Sequence, residues 1–218
     1  MKFSLSYQEL KAAEKNLYSQ GGQDGVLEAI FNQIGIEHYC CMEFGARDGF
    51  DLSNTANLET RNIKRILVDA EPKSPIVQKA YITRDNINEI VKPSYQLDYL
   101  SIDLDGNDYW IWEAIENKPR VVSVEYNSKF RNDISLAIEY NENHVWQADD
   151  YYGASILAFK KLGERKGYTL VCIVSMLDAI FIRNDLIDEN FVPPTLDEIF
   201  PMSIVAHKKQ SDKDWVSV

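Results

Sequence analysis

Apolar residues follow two rhythms along the chain. Largely apolar runs at residues 39–44, 65–68, 97–104 and 120–126 end on glycine or on acidic and amide residues, and they read as buried strands. Residues 79–83 form a shorter candidate strand. Between these runs, apolar positions recur at helical spacing over residues 7–18, 26–34, 109–115 and 154–166. Shorter helices are expected from Ser53-Asn54-Thr55 to about residue 59 and over residues 86–91. Asp24 and Asp85 stand where side-chain caps of the following helices are expected, and Gly167 stops the helix that begins near residue 154. Residues 169–174 and 179–182 are close enough in sequence to form an antiparallel strand pair.

Strands alternating with helices imply an α/β fold: a mostly parallel sheet with helices on both faces, closed by a C-terminal antiparallel strand pair. A chain of 218 residues suits one domain and buries a core without disulfide or metal staples. The expected division is N-terminal helices over 1–36, a core over 37–185 and a C-terminal tail over 186–218. Within it, Ser203 to Val218 has no evident core role and is a candidate homo-oligomer contact or a disordered end. No apolar run reaches the ~18–20 residues that span a bilayer, and the charged N-terminus lacks a secretory apolar stretch. Cys40, Cys41 and Cys172 read as reduced, buried strand residues of a cytoplasmic protein. The net charge of −11 disfavours nucleic acid and anionic membranes as partners. Lys160, Lys161, Arg165 and Lys166 recur at helix spacing and read as a solvated face; Lys208-Lys209 is the other basic pair.

Four constellations bear chemistry. Glu43-Phe44-Gly45-Ala46-Arg47-Asp48-Gly49 follows the first strand, and its glycines permit a tight turn and close approach of a ligand to the backbone. Glu71 follows the second strand, where a carboxylate can accept hydrogen bonds from both ribose hydroxyls of a nucleoside; Asp69 competes for that role. Asp103-Leu104-Asp105-Gly106-Asn107-Asp108 gathers three carboxylates at a strand end, a repulsive arrangement relieved by a cation, a ligand ammonium or a substrate hydroxyl. Glu125-Tyr126-Asn127 ends the neighbouring strand. Asp103, Asp105, Glu125 and Asn127 together suit an all-oxygen magnesium or calcium site. His38, His144 and His207 have no sequence context that marks a general base.

In this order the segments resemble the FkbM-like family of S-adenosylmethionine-dependent methyltransferases over roughly residues 19–185. Residues 19–24, with Ser19-Gln20 and Asp24, resemble its entry segment. Residues 43–49 followed by Ser53-Asn54-Thr55 resemble its first motif. Val68-Asp69-Ala70-Glu71-Pro72 resembles its Glu-Pro strand end, and Ile102-Asp103-Leu104-Asp105-Gly106 resembles its acidic element, with Asp105 in place of Glu. Tyr151-Tyr152-Gly153-Ala154-Ser155 also resembles a family segment. The resemblance implies a single Rossmann-like methyltransferase domain. Glu43, Gly45, Ala46, Gly49, Asn54 and Asp103 would line the cofactor, and Glu71 would hold its ribose. Asp103, Asp105 and Glu125 would face the reaction centre, with Asp103 the first choice of base. The implied acceptor is a hydroxyl of a small molecule such as a sugar. Only residues 73–78 separate Pro72 from Lys79, so the helix that normally walls the adenine pocket is cut short, and adenine recognition by Asp85 or Asn86 is in doubt. Two other classes stay open: a non-catalytic Rossmann-like binding module, and a metal-dependent hydrolase, against which stands the lack of a histidine near the acidic cluster in sequence. Aromatic residues in the polar segment 127–152 suit an acceptor wall or lid.

Overall fold

The protein's computed structural model describes residues 1–200 and 213–218; His207 and Lys208-Lys209 lie outside them. Strands β1 (Cys40–Phe44), β2 (Lys64–Asp69), β3 (Gln78–Lys79), β4 (Tyr99–Ile102), β5 (Val121–Glu125), β7 (Tyr168–Val174) and β8 (Asp178–Arg183) form one seven-stranded sheet. Strand β6 (Leu136–Ile138) lies outside it. The sheet order is β3-β2-β1-β4-β5-β8-β7, with β1 to β5 mutually parallel and β8 reversed between β5 and β7.

Side chains alternate across each strand, and the sequence uses both faces. Helix α2 (Gln23–Ile34) covers one face, packing Leu27, Ile30 and Phe31 with Cys41, Tyr99, Val121 and Cys172. The other face packs Met42, Leu100, Val122 and Phe181 against helices α4 (Asp108–Ala114) and α5 (Ile156–Lys166), where Trp112 and Phe159 are fully enclosed. Largely apolar strands follow from this two-sided burial.

Several element ends differ from the sequence expectation. Helix α1 (Tyr7–Ala12) starts at Ser6, whose side chain and Glu9 bond reciprocally, but it ends well before residue 18. Asp24 does not cap a helix. It sits inside the first turn of α2, and one of its oxygens accepts the Leu17, Tyr18 and Ser19 N–H groups at 2.8, 2.8 and 2.9 Å, tying down the preceding loop. The turn after Asn54 is a 3-10 helix over Ala56–Arg61. Strand β3, at the edge of the sheet, has only two paired residues, both exposed. Helix α3 (Ile87–Ile90) follows Asn86, with no side-chain cap; the Asn86 side chain instead accepts from Thr83 N–H and donates to the Tyr81 carbonyl.

A second, two-stranded antiparallel sheet was not expected. Strand β6 pairs with β9 (Trp215–Ser217), and Trp215 meets Phe130 and Tyr151 edge to face at 4.6 and 4.9 Å. Helix α6 (Leu196–Ile199) is closed by a Thr195–Glu198 capping box, and Phe200 beyond it packs on Tyr126. Ile199, Phe200 and Trp215 therefore pack against the rest of the protein, a role that no periodicity announces. Of the three cysteines, all free, Cys41 and Cys172 are buried and Cys40 is half-buried. Among the described residues no helix is long and apolar enough to cross a membrane.

Candidate functional site

The strand order places β1 beside β4, with the chain running outward in opposite directions from that pair. This is the topological switch point, where open α/β sheets leave a crevice at the strands' carboxyl ends. A cavity of about 180 Å³ opens there. It is lined by Gly45 after β1, Asp69 and Ala70 at the end of β2, Asp103 and Asp105 after β4, and Tyr81 and His144 on its outer side.

Gly45 has φ +70, and a side-chain carbon on it would lie 2.0 Å from the Asp103 carbonyl oxygen. Glycine is thus required for β1 and β4 to end side by side. Gly49 (φ +85) is also required, since a side chain would strike Leu67 at 2.7 Å, but it lies behind the turn and does not line the cavity. Ala46 is buried against Leu67 and Val77 and likewise supports the turn from behind.

Glu43 is turned inward. Its carboxylate accepts the Asn54 N–H at 2.7 Å and the Ser53 and Thr55 hydroxyls at 2.6 and 2.5 Å. Burial raises its pKa, and these bonds oppose the rise. Asn54 donates to Ser101 Oγ and to the buried Asp178 carboxylate, both at 3.1 Å. Glu43 and Asn54 therefore brace the loop after β1 to the sheet.

Asp69 lines the cavity, whereas Glu71 is exposed and outside it. The two Asp69 oxygens accept the Arg47 N–H at 2.8 Å and the Glu71 N–H at 2.7 Å. Asp85 and Asn86 are not among the cavity's lining residues.

Beyond β4 and β5 the acidic residues separate into two groups. Asp108 is fully buried and accepts the Leu104 and Gly106 N–H groups at 2.7 and 2.9 Å; burial pushes its carboxyl up to about 7 against those bonds. It shapes the loop. Asp103, Asp105 and Glu125 instead bring one carboxylate oxygen each to within 4.8 Å of one another. Burial first, and the charges of neighbouring carboxylates second, raise both Asp103 and Glu125 well above the usual carboxylate range. Burial raises Asp105 as well, against the positive charge of Arg47. Asn127 does not join the cluster: its amide donates to the Asp150 and Tyr152 carbonyls at 2.9 and 3.0 Å and accepts the Lys129 N–H at 3.0 Å.

His144 is the residue the sequence did not single out. Its imidazole lies on Gly106, where an added side-chain carbon would meet His144 Cδ2 at 2.3 Å, and it lines the cavity with Asp103 and Asp105. The segment 127–152 folds back over the sheet end and brings a histidine to the acidic residues despite the distance in sequence. Tyr81 fastens this strap by donating its hydroxyl to the Glu142 and His144 carbonyls. Asn107 donates to the Asn141 carbonyl at 2.8 Å. Burial holds the His144 imidazole below its ordinary value.

No protein-family model matches the chain, and no curated protein matches it.

Proposed function

We propose that this protein is a Rossmann-like, S-adenosylmethionine-dependent methyltransferase acting on a hydroxyl of a small molecule such as a sugar. The observation that carries the reading is the cavity at the β1/β4 switch point, walled by Gly45, Asp69 and Asp103. The reversed strand β8 between β5 and β7 supports it, since a closing antiparallel pair is the arrangement that the FkbM-like resemblance implies.

The donor set fits the nucleoside end of the cofactor. Each Asp69 oxygen accepts one backbone N–H and keeps a lone pair, so the carboxylate can take both hydroxyls of a ribose. Asp69 replaces Glu71 in that role. Glu43, Asn54, Ala46 and Gly49 shape the loop, and Gly45 and Asp103 face the ligand. When bound, the cofactor supplies an electrophilic methyl group on a sulfonium. The protein's part is to hold the acceptor hydroxyl in line and receive its proton. Asp103 is the first choice for that proton, with Asp105 and Glu125 beside it.

The cavity is smaller than the ~300–1,000 Å³ of most small-molecule sites. On this reading the Tyr81-fastened strap moves outward to admit the ligand. The same volume favours a second reading, a non-catalytic binding module with a reduced pocket. Calorimetric titration with S-adenosylmethionine and S-adenosylhomocysteine separates the two. Saturable binding that is weakened in Asp69→Asn supports the methyltransferase. Absence of heat at millimolar ligand selects the binding module.

A further inference from the structure

We propose that Asp103, Asp105 and Glu125 form a binding site for one hard divalent cation, a site that stands whether or not the protein transfers methyl groups. Three observations converge on it.

The first is spacing. One oxygen from each residue lies within 4.8 Å of the others. Three oxygens spread evenly around one ion at 2.3–2.6 Å lie about 4.0–4.5 Å apart, so small side-chain rotations bring all three onto one ion without moving the strands.

The second is a buried oxygen with no partner. Glu125 is only 9% exposed, and its Oε2 has no hydrogen-bond partner. A buried carboxylate oxygen left this way loses its hydration with nothing in return. Other buried acids nearby are served: Asp108 by two N–H groups, Asp178 by Gln23 and Asn54, and Glu43 by two hydroxyls and an N–H. Glu125 is the exception, and its carboxylate is the one aimed at Asp103 and Asp105.

The third is charge. Among the described residues, none of the three acids is in an ion pair, although most of the chain's arginines are. Three carboxylates at this separation are strongly repulsive in a partly dry site unless a cation or shared protons intervene. A divalent ion offsets the repulsion and supplies the partner that Glu125 Oε2 lacks. The all-oxygen donor set selects magnesium, manganese or calcium over zinc. Coordination is completed by water or by an acceptor's oxygens entering from the cavity side, where Asp103 and Asp105 are exposed to it.

The test uses the full chain, stripped with chelator and titrated with manganese alone. Uptake is followed by calorimetry and by the loss of free-ion electron paramagnetic resonance signal. The expected result is one saturable manganese per chain, weakened about tenfold or more in Glu125→Gln and in Asp105→Asn, since affinity follows ligand charge. The exposed-acid control Glu189→Gln leaves uptake unchanged. Without metal, Glu125→Gln should fold and melt close to the wild-type temperature, because a neutral amide of the same shape replaces the buried carboxyl. Asp105→Asn, at an exposed position, keeps the test valid if Glu125→Gln fails to fold. No saturable uptake up to about 1 mM, or uptake equal in wild type and both site variants, overturns the proposal and assigns shared protons to the cluster. Binding of S-adenosylmethionine is measured separately without metal, so failure of either reading is seen on its own.

Discussion

The carbonyl oxygen of Asp103 occupies the space where a side chain on Gly45 would begin, 2.0 Å from the ideal position of its first carbon. Backbone occupies that space, so no side-chain rotation relieves the clash, and φ +70 adds strain for any other residue. Gly45→Ala is expected to cost about 2–4 kcal/mol, combining overpacking and left-handed strain. It should also spread β1 from β4 at the cavity floor. The denaturant midpoint measures the first effect, and nucleoside binding the second. A midpoint within error of wild type would mean that the two strand ends are not held together as described.

Asp98 and Arg120 set the acid limit of the same sheet from its opposite end. Both are buried, 2.8 Å apart; Arg120 also donates to the Gly35 and Ile34 carbonyls, and Asp98 accepts the Glu37 and His38 N–H groups at 2.9 Å. Burial raises the Asp98 carboxyl, but the Glu37 N–H, Arg120 and the His38 N–H together outweigh it, and the net direction is down. A carboxyl depressed in the folded state stabilises the fold above its unfolded pKa, about 3.9, and that contribution is lost as pH falls through the lower folded value. Asp98→Asn should cost about 1–3 kcal/mol at pH 7, since the charge-assisted bonds of Asp98 are lost while Arg120 keeps Glu37 at 3.3 Å and the two carbonyls. It should also lose less further stability than wild type between pH 5 and pH 2, about the unfolded pKa. Parallel acid limbs in the two proteins would remove Asp98 from the account of acid unfolding.

The main strands were legible because burial on both faces makes them largely apolar runs. Met42 and Cys41, or Val122 and Val121, fill opposite cores, so apolar residues occupy both faces and polar ones such as Glu43, Ser101 and Ser123 are few. Strand β3 was misplaced because its two residues are exposed and carry no apolar signal. The pairing of Ala137 with Val216 joins positions far apart in sequence, which no local pattern encodes. At the site, Asp103, Asp105 and Glu125 were legible as neighbours because parallel β4 and β5 end level, with Ile102 opposite Val124. The resemblance favours Glu71 over Asp69, and spacing by two puts both on one side; in the structure β2 ends at Asp69, which lines the cavity, while Glu71 lies outside it. His144 was silent because a strap's path depends on contacts such as Tyr81 to Glu142, not on periodicity.

Tyr81→Phe removes the hydroxyl that fastens the strap while leaving the ring, which is partly exposed, in place. Global stability should fall by no more than about 1 kcal/mol, the net worth of a typical hydrogen bond. Local effects should be larger in proportion. Amides of residues 142–147 should exchange with solvent about fivefold faster, while those of β4 and β5 stay unchanged. Equal exchange in the strap of both proteins would show that other bonds, such as those of Asn107 to Asn141 and of Arg84 to Tyr140, hold it closed.

Asp69 and Glu71 offer the sharpest contrast for ligand recognition, because the family resemblance favours one and the cavity the other. Asp69 lines the cavity with both oxygens still able to accept, while Glu71 points to solvent outside it. Hydrogen bonds to a charged group are worth about 1.5–3 kcal/mol. Asp69→Asn should therefore weaken S-adenosylhomocysteine binding about 10- to 150-fold, and Glu71→Gln should leave it unchanged. Asp69 also accepts the Arg47 and Glu71 N–H groups, so loss of binding through a collapsed loop must be separated from loss of a ribose contact. A 2′,3′-dideoxy analogue makes that separation. It lacks the hydroxyls, so it should bind wild type and Asp69→Asn with similar, weak affinity if the carboxylate's role is recognition. If Asp69→Asn weakens the dideoxy analogue as much as the parent compound, Asp69 acts on the loop and not on the ligand. If Glu71→Gln carries the whole effect instead, the chain after β2 must turn back toward the cavity when ligand binds, and the ribose site reverts to Glu71.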